Sequence, residues 1–121
     1  MSTRLSGSEC VSPDNLAPKS QPSIICASPS AYGLEGPWAK HRGFDSLVQT
    51  ATGIMVSEAE QFGEEEASKL LPCQALDHAS GYFLATGIAA VLYRRATEGG
   101  SYEVQVSLVG TAKYLRGLGQ H

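Results

Sequence analysis

Basic residues are few in this 121-residue chain, which has nine Lys and Arg against twelve Asp and Glu and a formal net charge of −3. Proteins that bind nucleic acids neutralise backbone phosphates with an excess of positive charge. That excess is missing here. We therefore expect no nucleic-acid partner.

Cysteines are also few, and their arrangement matches no familiar site. Cys10, Cys26 and Cys73 form no CxxC pair, and the three histidines have no metal-ligand spacing with them. An odd number of isolated cysteines argues against a disulfide framework, and the missing spacing argues against zinc. We expect no metal site and a reducing compartment.

Long apolar runs are absent. The first 30 residues contain no apolar signal-peptide core, and the longest apolar stretch, Tyr82 to Tyr93, is interrupted by Thr86 and Gly87. A bilayer span needs about 20 apolar residues. The sequence therefore predicts an intracellular, cytoplasmic protein with no membrane partner, although the organelle is not specified.

The residues that are present predict a tail followed by one domain. Residues 1–22 hold three prolines and five serines with little periodicity, a composition typical of disorder. Residues 23–121 form the predicted domain. Its first segment, 23–28, is a short apolar run between prolines and favours a buried strand of a parallel sheet. A loop rich in glycine and proline follows at 29–43, where ligands of open α/β sheets commonly bind.

Helices and one more strand are predicted further along. Phe44, Leu47, Val48 and Ala51 give a short helix one apolar face, with Gly53 placed to end it. The glutamate-rich stretch 57–69 is interpreted as a solvated loop or frayed helix. The remaining segments are a long helix at 75–97 that stops at Gly99 and Gly100, a strand with alternating apolar residues at 101–108, and a helix at 109–118. This order indicates an α/β fold, yet two strands alone make a marginal sheet.

Common catalytic motifs are missing: the sequence has no nucleophile elbow, phosphate-binding glycine loop or HExxH zinc motif. What remains is Asp77, beside His78 at the start of the long helix. A carboxylate there is stabilised in its ionised form by free N–H groups and the helix dipole. It could be a plain helix cap or a nucleophile that forms a covalent acyl intermediate. Gly81 and Gly87 behind it cost helix propensity, which suggests a packing or ligand reason.

Four motifs in order carry a family resemblance: AYGLEGPW at 31–38, RGFDSLVQ at 42–49, ALDHASGY at 75–82 and RRATEGGSYEV at 94–104. Over residues 22–120 the sequence resembles the middle of a family III CoA-transferase, of the CaiB/BaiF family. The resemblance implies an incomplete piece of that family's large α/β domain, in which a long helix bearing the aspartate is flanked by short strands.

The resemblance also implies a reaction. In the family, an aspartate at this helix start attacks an acyl-CoA thioester, giving an aspartyl-acyl anhydride and then an aspartyl-CoA thioester before transfer to the acceptor acid. Asp77 is the matching residue, and Tyr32 and Gln49 are expected to neighbour the ligand. CoA and acyl-CoA enter as substrates, with no permanently bound cofactor. A complete protein would be a homodimer.

Two alternative functions differ from this expectation. The related α-methylacyl-CoA racemases use a histidine where this sequence has Phe44, and a two-base proton transfer needs that base, so a racemase is disfavoured. Family members are also much longer than this chain. The second alternative is therefore a catalytically incomplete fragment that acts at most as a dimerising or interaction module, because unpaired strand edges and apolar faces favour association.

Overall fold

The computed structural model describes residues 24–63 and 68–119. The elements in chain order are β1 (Ile25–Ser30), α1 (Asp45–Thr52), α2 (Ile54–Phe62), a 3-10 turn (Pro72–Gln74), α3 (Ala75–Glu98), β2 (Tyr102–Ser107) and α4 (Leu108–Gly117). The predicted tail at 1–22 lies outside the described residues, as do residues 64–67 of the glutamate-rich stretch.

The two strands form a parallel pair, as the α/β prediction requires. Their register runs from Ile25 opposite Tyr102 to Ser30 opposite Ser107. The prediction that the first strand stops before Pro29 is wrong, because β1 continues through that residue. Each strand of this two-stranded sheet is an edge strand. Proline lacks a backbone N–H, and an edge strand tolerates it because the N–H groups on its open side pair with no other strand.

The long helix α3 packs closely on the strands. A Cβ atom on Gly87 would lie 2.6 Å from Cγ1 of Val104, so the glycine lets the helix approach β2. A Cβ atom on Gly81 would meet no atom within 4 Å, so packing among the described residues does not account for this glycine. Val104 is buried while Glu103 and Gln105 are exposed, which confirms the alternation predicted for this strand.

The buried side of α1 differs from the apolar face that the spacing predicts. Phe44, just before the helix, is 60% exposed and Leu47 is 44% exposed, whereas Asp45, Val48 and Gln49 are buried. The face that meets the core is therefore rotated toward the two polar residues. Burying a charge and an amide is favourable only where both are hydrogen-bonded, so the partners of this pair decide the orientation.

Glycines end two helices as predicted. Gly53, in the left-handed conformation at φ 72°, terminates α1, and Gly99 terminates α3. The chain resumes a helix directly after Gly53, and α2 runs to Phe62 with Ala59 buried. The first part of the stretch predicted as loop or frayed helix is thus an ordinary helix packed by its apolar residues.

The core lies where α1, α2, α3 and α4 meet. Its buried members are Val48, Ile54, Leu76, Leu108 and Ala112. Two side-chain pairs join α3 to α4: Ser80 and Thr111 share a buried hydrogen bond of 2.7 Å, and the rings of Phe83 and Tyr114 meet edge to face at 5.3 Å. These contacts fix the N-terminal half of α3 relative to α4, the last helix of the chain.

The helical stretch Pro72–Glu98 is, by length and composition alone, long and apolar enough to cross a membrane. It contains the shorter run from Tyr82 to Tyr93, whose interruption by Thr86 and Gly87 led to the expectation of no membrane span. Core helices of soluble proteins satisfy the same criterion, so length and composition do not decide between a membrane and a protein environment.

Candidate active site

Asp77 lies in the first turn of α3 with its side chain exposed. The residue before it, Leu76, is fully buried and holds this turn in the core. The helix begins after Gln74, whose side chain makes no capping hydrogen bond. The exposed carboxylate and the buried residue beside it place Asp77 at the surface on a firmly anchored backbone.

The backbone N–H of Asp77 is capped by a side chain from another helix. It donates a hydrogen bond of 3.0 Å to Oδ2 of Asp45, the first residue of α1. Asp45 is only 2% exposed. A helix start leaves N–H groups without intrahelical partners, and a carboxylate is a strong acceptor for them. A carboxylate from α1 therefore caps this helix, whereas the sequence pattern indicated Asp77 itself as the possible cap.

Gln49 completes this arrangement one turn along α1. Its Nε2 donates to Oδ1 of Asp45, and its Oε1 accepts a hydrogen bond of 2.9 Å from the backbone N–H of Leu71. With an exposure of 1%, Gln49 is buried and uses both ends of its amide. The side chain of Asp45 therefore bridges the side-chain amide of Gln49 and the backbone N–H of Asp77.

The connection that leads into α3 has an unusual backbone. Cys73 and Gln74, neither of them glycine, adopt the left-handed conformation at φ 60° and φ 50°. Such residues cost about 1–3 kcal/mol each and persist only where the surroundings hold them in place. The hydrogen bonds to Leu71 and Asp77 lie on either side of this connection.

The pKa of Asp77 is raised above its ordinary value of 3.8. Partial burial is the main cause and the nearby Asp45 carboxylate the second, while His78 acts in the opposite direction. The helix start by itself stabilises the ionised form of a carboxylate. Desolvation and a second negative charge oppose that effect here.

Tyr32 lies just beyond the carboxyl end of β1, in the loop predicted to face a ligand. Its ring meets Trp38 edge to face at 5.0 Å, and a Cβ on Gly43 would lie 2.7 Å from the ring. Tyr32 also packs against the core cluster that includes Leu76. Tyr32 and Leu76, the residue before Asp77, therefore belong to one packed region, and among the described residues no hydrogen bond joins Tyr32 to Asp77.

Two cavities flank these elements. The first, of about 450 Å³, lies at the carboxyl ends of both strands, with Tyr32 and Ser107 in its lining. The second, of about 740 Å³, lies between α2, the 3-10 turn and α4, and its lining includes Leu71 and Arg116. Asp77 lines neither cavity.

Asp45 is the site residue that the sequence analysis did not single out. A signal was present, since an aspartate followed four residues later by a glutamine places two hydrogen-bonding groups on one helix face. No group of three potential metal ligands occurs within residues 24–63 and 68–119. His78 is exposed beside Asp77.

Comparison with known proteins identifies the family. The model of CoA-transferase family III matches residues 12–117, which is most of the chain. This chain belongs to CoA-transferase family III. The resemblance of the four sequence motifs is confirmed.

Relatives in this family include the acetyl-CoA:oxalate CoA-transferase of Acetobacter aceti, which is 33% identical over 99 residues covering 81% of this chain and 25% of the relative. The cinnamoyl-CoA:phenyllactate CoA-transferase of Clostridium sporogenes is 35% identical over 97 residues, 80% of this chain and 23% of the relative. The chain therefore spans about a quarter of the length of these family members.

A solved family structure shows the same fold. The crystal structure of the hypothetical protein Rv3272 from Mycobacterium tuberculosis superposes with a TM-score of 0.63 at 30% identity, over 74% of this chain and 25% of that one. The predicted fold class, a partial α/β domain of a family III CoA-transferase, is confirmed.

Proposed function

We propose that this chain carries the nucleophile of a family III CoA-transferase and that Asp77 is that nucleophile. Family membership supports CoA transfer in general. The observation that carries the assignment is the pairing of an exposed Asp77 carboxylate with a backbone that buried Asp45 holds in place. Covalent catalysis needs a nucleophile that is accessible to the substrate and fixed in position.

The proposed reaction has two symmetrical halves. A carboxylate oxygen of Asp77 attacks the thioester carbonyl of an acyl-CoA, the C–S bond breaks, and CoA leaves as a thiolate, which leaves a mixed aspartyl-acyl anhydride. The thiolate then attacks the aspartyl carbonyl of this anhydride, which releases the donor as a free carboxylate and forms aspartyl-CoA. An acceptor carboxylate repeats these steps in reverse order, receives CoA and restores Asp77.

The raised pKa of Asp77 supports this role. Perturbed carboxyl groups cluster at functional sites, where burial and like charges adjust their reactivity. Here the perturbation comes from partial desolvation and from Asp45, and the side chain remains exposed enough to meet a substrate. A structural helix cap, by contrast, would be expected to bind its own helix N–H groups.

Tyr32 and Gln49 are proposed to serve the ligand in different ways. Tyr32 lines the cavity beyond the carboxyl ends of the strands, the usual binding edge of a parallel sheet, which supports a direct contact with CoA or the acyl group. Gln49 is buried with both ends of its amide bonded, so its contribution is proposed to pass through Asp45.

Covalent trapping tests the proposal. The 121-residue chain is incubated with acetyl-CoA as probe, quenched with hydroxylamine, and digested for peptide mass analysis. We expect a hydroxamate at Asp77, lost in Asp77→Asn. Glu60→Gln is the matched control, because it removes one negative charge from an exposed position on α2 and should leave the trapping unchanged. A chain that is never modified at Asp77, or one modified equally in Asp77→Asn, would contradict the proposal.

The same samples separate the proposal from the interaction-module hypothesis. An enzyme of this type requires CoA binding, whereas an incomplete fragment would associate with itself or another protein without it. Size-exclusion chromatography and calorimetric titration with CoA are therefore run alongside the trapping. Association without CoA binding or a trapped aspartate would favour the interaction module.

A further inference from the structure

We propose that Asp45 is the positioning residue of the Asp77 site and that Gln49 holds Asp45 in place. This inference rests on the proposed function of Asp77. In it, Asp45 does not touch the substrate. It fixes the backbone from which the Asp77 carboxylate projects, and through that backbone it sets the direction of attack.

The hydrogen bonds of this pair enclose the connection that precedes α3. Gln49 accepts from the N–H of Leu71, before the 3-10 turn, and Asp45 accepts from the N–H of Asp77, after it. The side chains of Asp45 and Gln49 are bonded to each other. One rigid pair on α1 thus holds both ends of the segment that delivers Asp77.

The backbone between these two hydrogen bonds is strained. Cys73 and Gln74 are both in the left-handed region, which non-glycine residues seldom occupy. Strained backbone of this kind is retained when neighbouring contacts enforce it, and it clusters at functional sites. The Asp45–Gln49 pair supplies contacts on both sides of the strained residues, and relaxation of this connection would move Asp77.

Burial of Asp45 is costly, which argues that it has a specific task. Among the described residues no cation forms an ion pair with this carboxylate, and two hydrogen bonds compensate for its desolvation. An apolar residue would suit a buried helix position better on stability grounds alone. Residues that break such a rule are expected at functional sites.

The charge of Asp45 also acts on Asp77. The groups that face the Asp77 carboxyl are Asp45 on α1, which raises its pKa, and His78 on α3, which lowers it. Removing the Asp45 charge should therefore lower the pKa of Asp77. A residue that only filled space in the core would not have this effect.

The hydrogen-bond pattern suggests a pair of variants. In Asp45→Asn, one amide oxygen can still accept from the N–H of residue 77, but the new NH₂ group faces the NH₂ group of Gln49. If Gln49 turns over to resolve this, the N–H of Leu71 loses its acceptor. Combining Asp45→Asn with Gln49→Glu restores all three hydrogen bonds. The bond between positions 45 and 49 is reversed, because the new asparagine NH₂ donates to the new glutamate carboxylate. The negative charge moves from position 45 to position 49.

The measurements need no substrate. In Asp45→Asn the two opposed NH₂ groups should push the pair apart, so we expect hydrogen exchange of the residue 77 amide to quicken by about tenfold or more, and the pKa of Asp77, followed by carboxyl ¹³C NMR, to fall. In the double variant the exchange should slow again toward that of the parent, while the pKa of Asp77 stays lowered. Unchanged exchange and unchanged pKa in both variants would overturn the inference, and the double variant keeps the test valid if the single one does not fold.

Failure of this inference and failure of the proposed function are distinguishable. Asp77→Asn should abolish trapping and still show a protected amide at residue 77, because Asp45 binds the backbone there. If that amide is protected but Asp77 is never trapped in the parent, the positioning contact exists and the nucleophile assignment is wrong. If trapping occurs without any effect of Asp45→Asn on the amide or the pKa, the positioning role is wrong.

Discussion

The carboxylate of Asp45 accepts a 3.0 Å hydrogen bond from the backbone N–H of Asp77, which is 32 residues further along the chain. This bond links the first turn of α1 to the first turn of α3. It joins a buried, fully bonded aspartate to an exposed one. The two carboxyl groups therefore have different tasks, one structural and one proposed to be chemical, although both stand at a helix start.

The raised pKa of Asp77 predicts a pH-dependent cost to folding. As pH rises through 3.8, the unfolded chain releases this proton while the folded chain still holds part of it, so stability falls across that window, and the full cost remains at neutral pH. Asp77→Asn removes this cost. The difference in Tm between variant and parent should therefore increase in the variant's favour from about pH 3 to about pH 7. Thermal unfolding at several pH values measures this difference in Tm, with Glu60→Gln as the control. A Tm difference that does not change with pH would contradict the prediction.

Two glycines of α3 predict opposite responses to the same substitution. Gly87→Ala would place a Cβ 2.6 Å from Val104, so we expect a loss of about 1–3 kcal/mol in the free energy of unfolding. Gly81→Ala meets nothing within 4 Å and should gain about 0.5–1 kcal/mol from helix propensity. Urea unfolding of both variants is the measurement, and equal changes at the two positions would refute the packing argument.

The hydrogen bond between Ser80 and Thr111 predicts coupling between α3 and α4. Ser80→Ala should cost about 1 kcal/mol, since the bond is buried. Thr111 also donates to the backbone carbonyl of Ser107, so it keeps one partner in that variant. A double-mutant cycle with Thr111→Val should show a coupling of about 0.5–1.5 kcal/mol. Strictly additive changes would mean that the two hydroxyls contribute nothing jointly.

The left-handed backbone at Gln74 predicts a stabilising substitution. Asparagine tolerates this conformation better than glutamine and is a favoured residue before the first turn of a helix. Gln74→Asn should therefore raise the free energy of unfolding by about 0.5–1 kcal/mol. Gln61→Asn makes the same chemical change within α2, where asparagine is the weaker helix former, and should be slightly destabilising. A loss at position 74 as large as that at 61 would contradict the strain argument.

Local patterns in the sequence were sufficient for most of the elements. The glycine stops at Gly53 and Gly99, the long helix bearing Asp77 and the alternation in β2 all appear where residue spacing places them. Each of these signals depends on residues within one or two turns of each other. The family motifs then connected Asp77 with CoA transfer, and the family itself is confirmed.

The orientation of α1 could not be read in this way. Counting apolar residues selects a face containing Phe44 and Leu47, yet the structure exposes both and buries Asp45 and Gln49. This orientation of α1 arises from the hydrogen-bond partners of Gln49 and Asp45. These are the N–H groups of Leu71 and Asp77, which lie 22 and 32 residues further along the chain. A pattern confined to one helix carries no information about such partners.

The sequence by itself determined the positions of most of the helices and strands, the family, and the identity of the aspartate that stands at the start of α3, because propensity, periodicity and motifs are local properties. Tertiary structure alone decided that Asp45 caps this helix, that Gln49 faces inward and that Gly87 serves the contact with Val104. These outcomes depend on which groups meet after the chain has folded. A buried polar group is stable only beside its partner, and that partner is chosen by the fold.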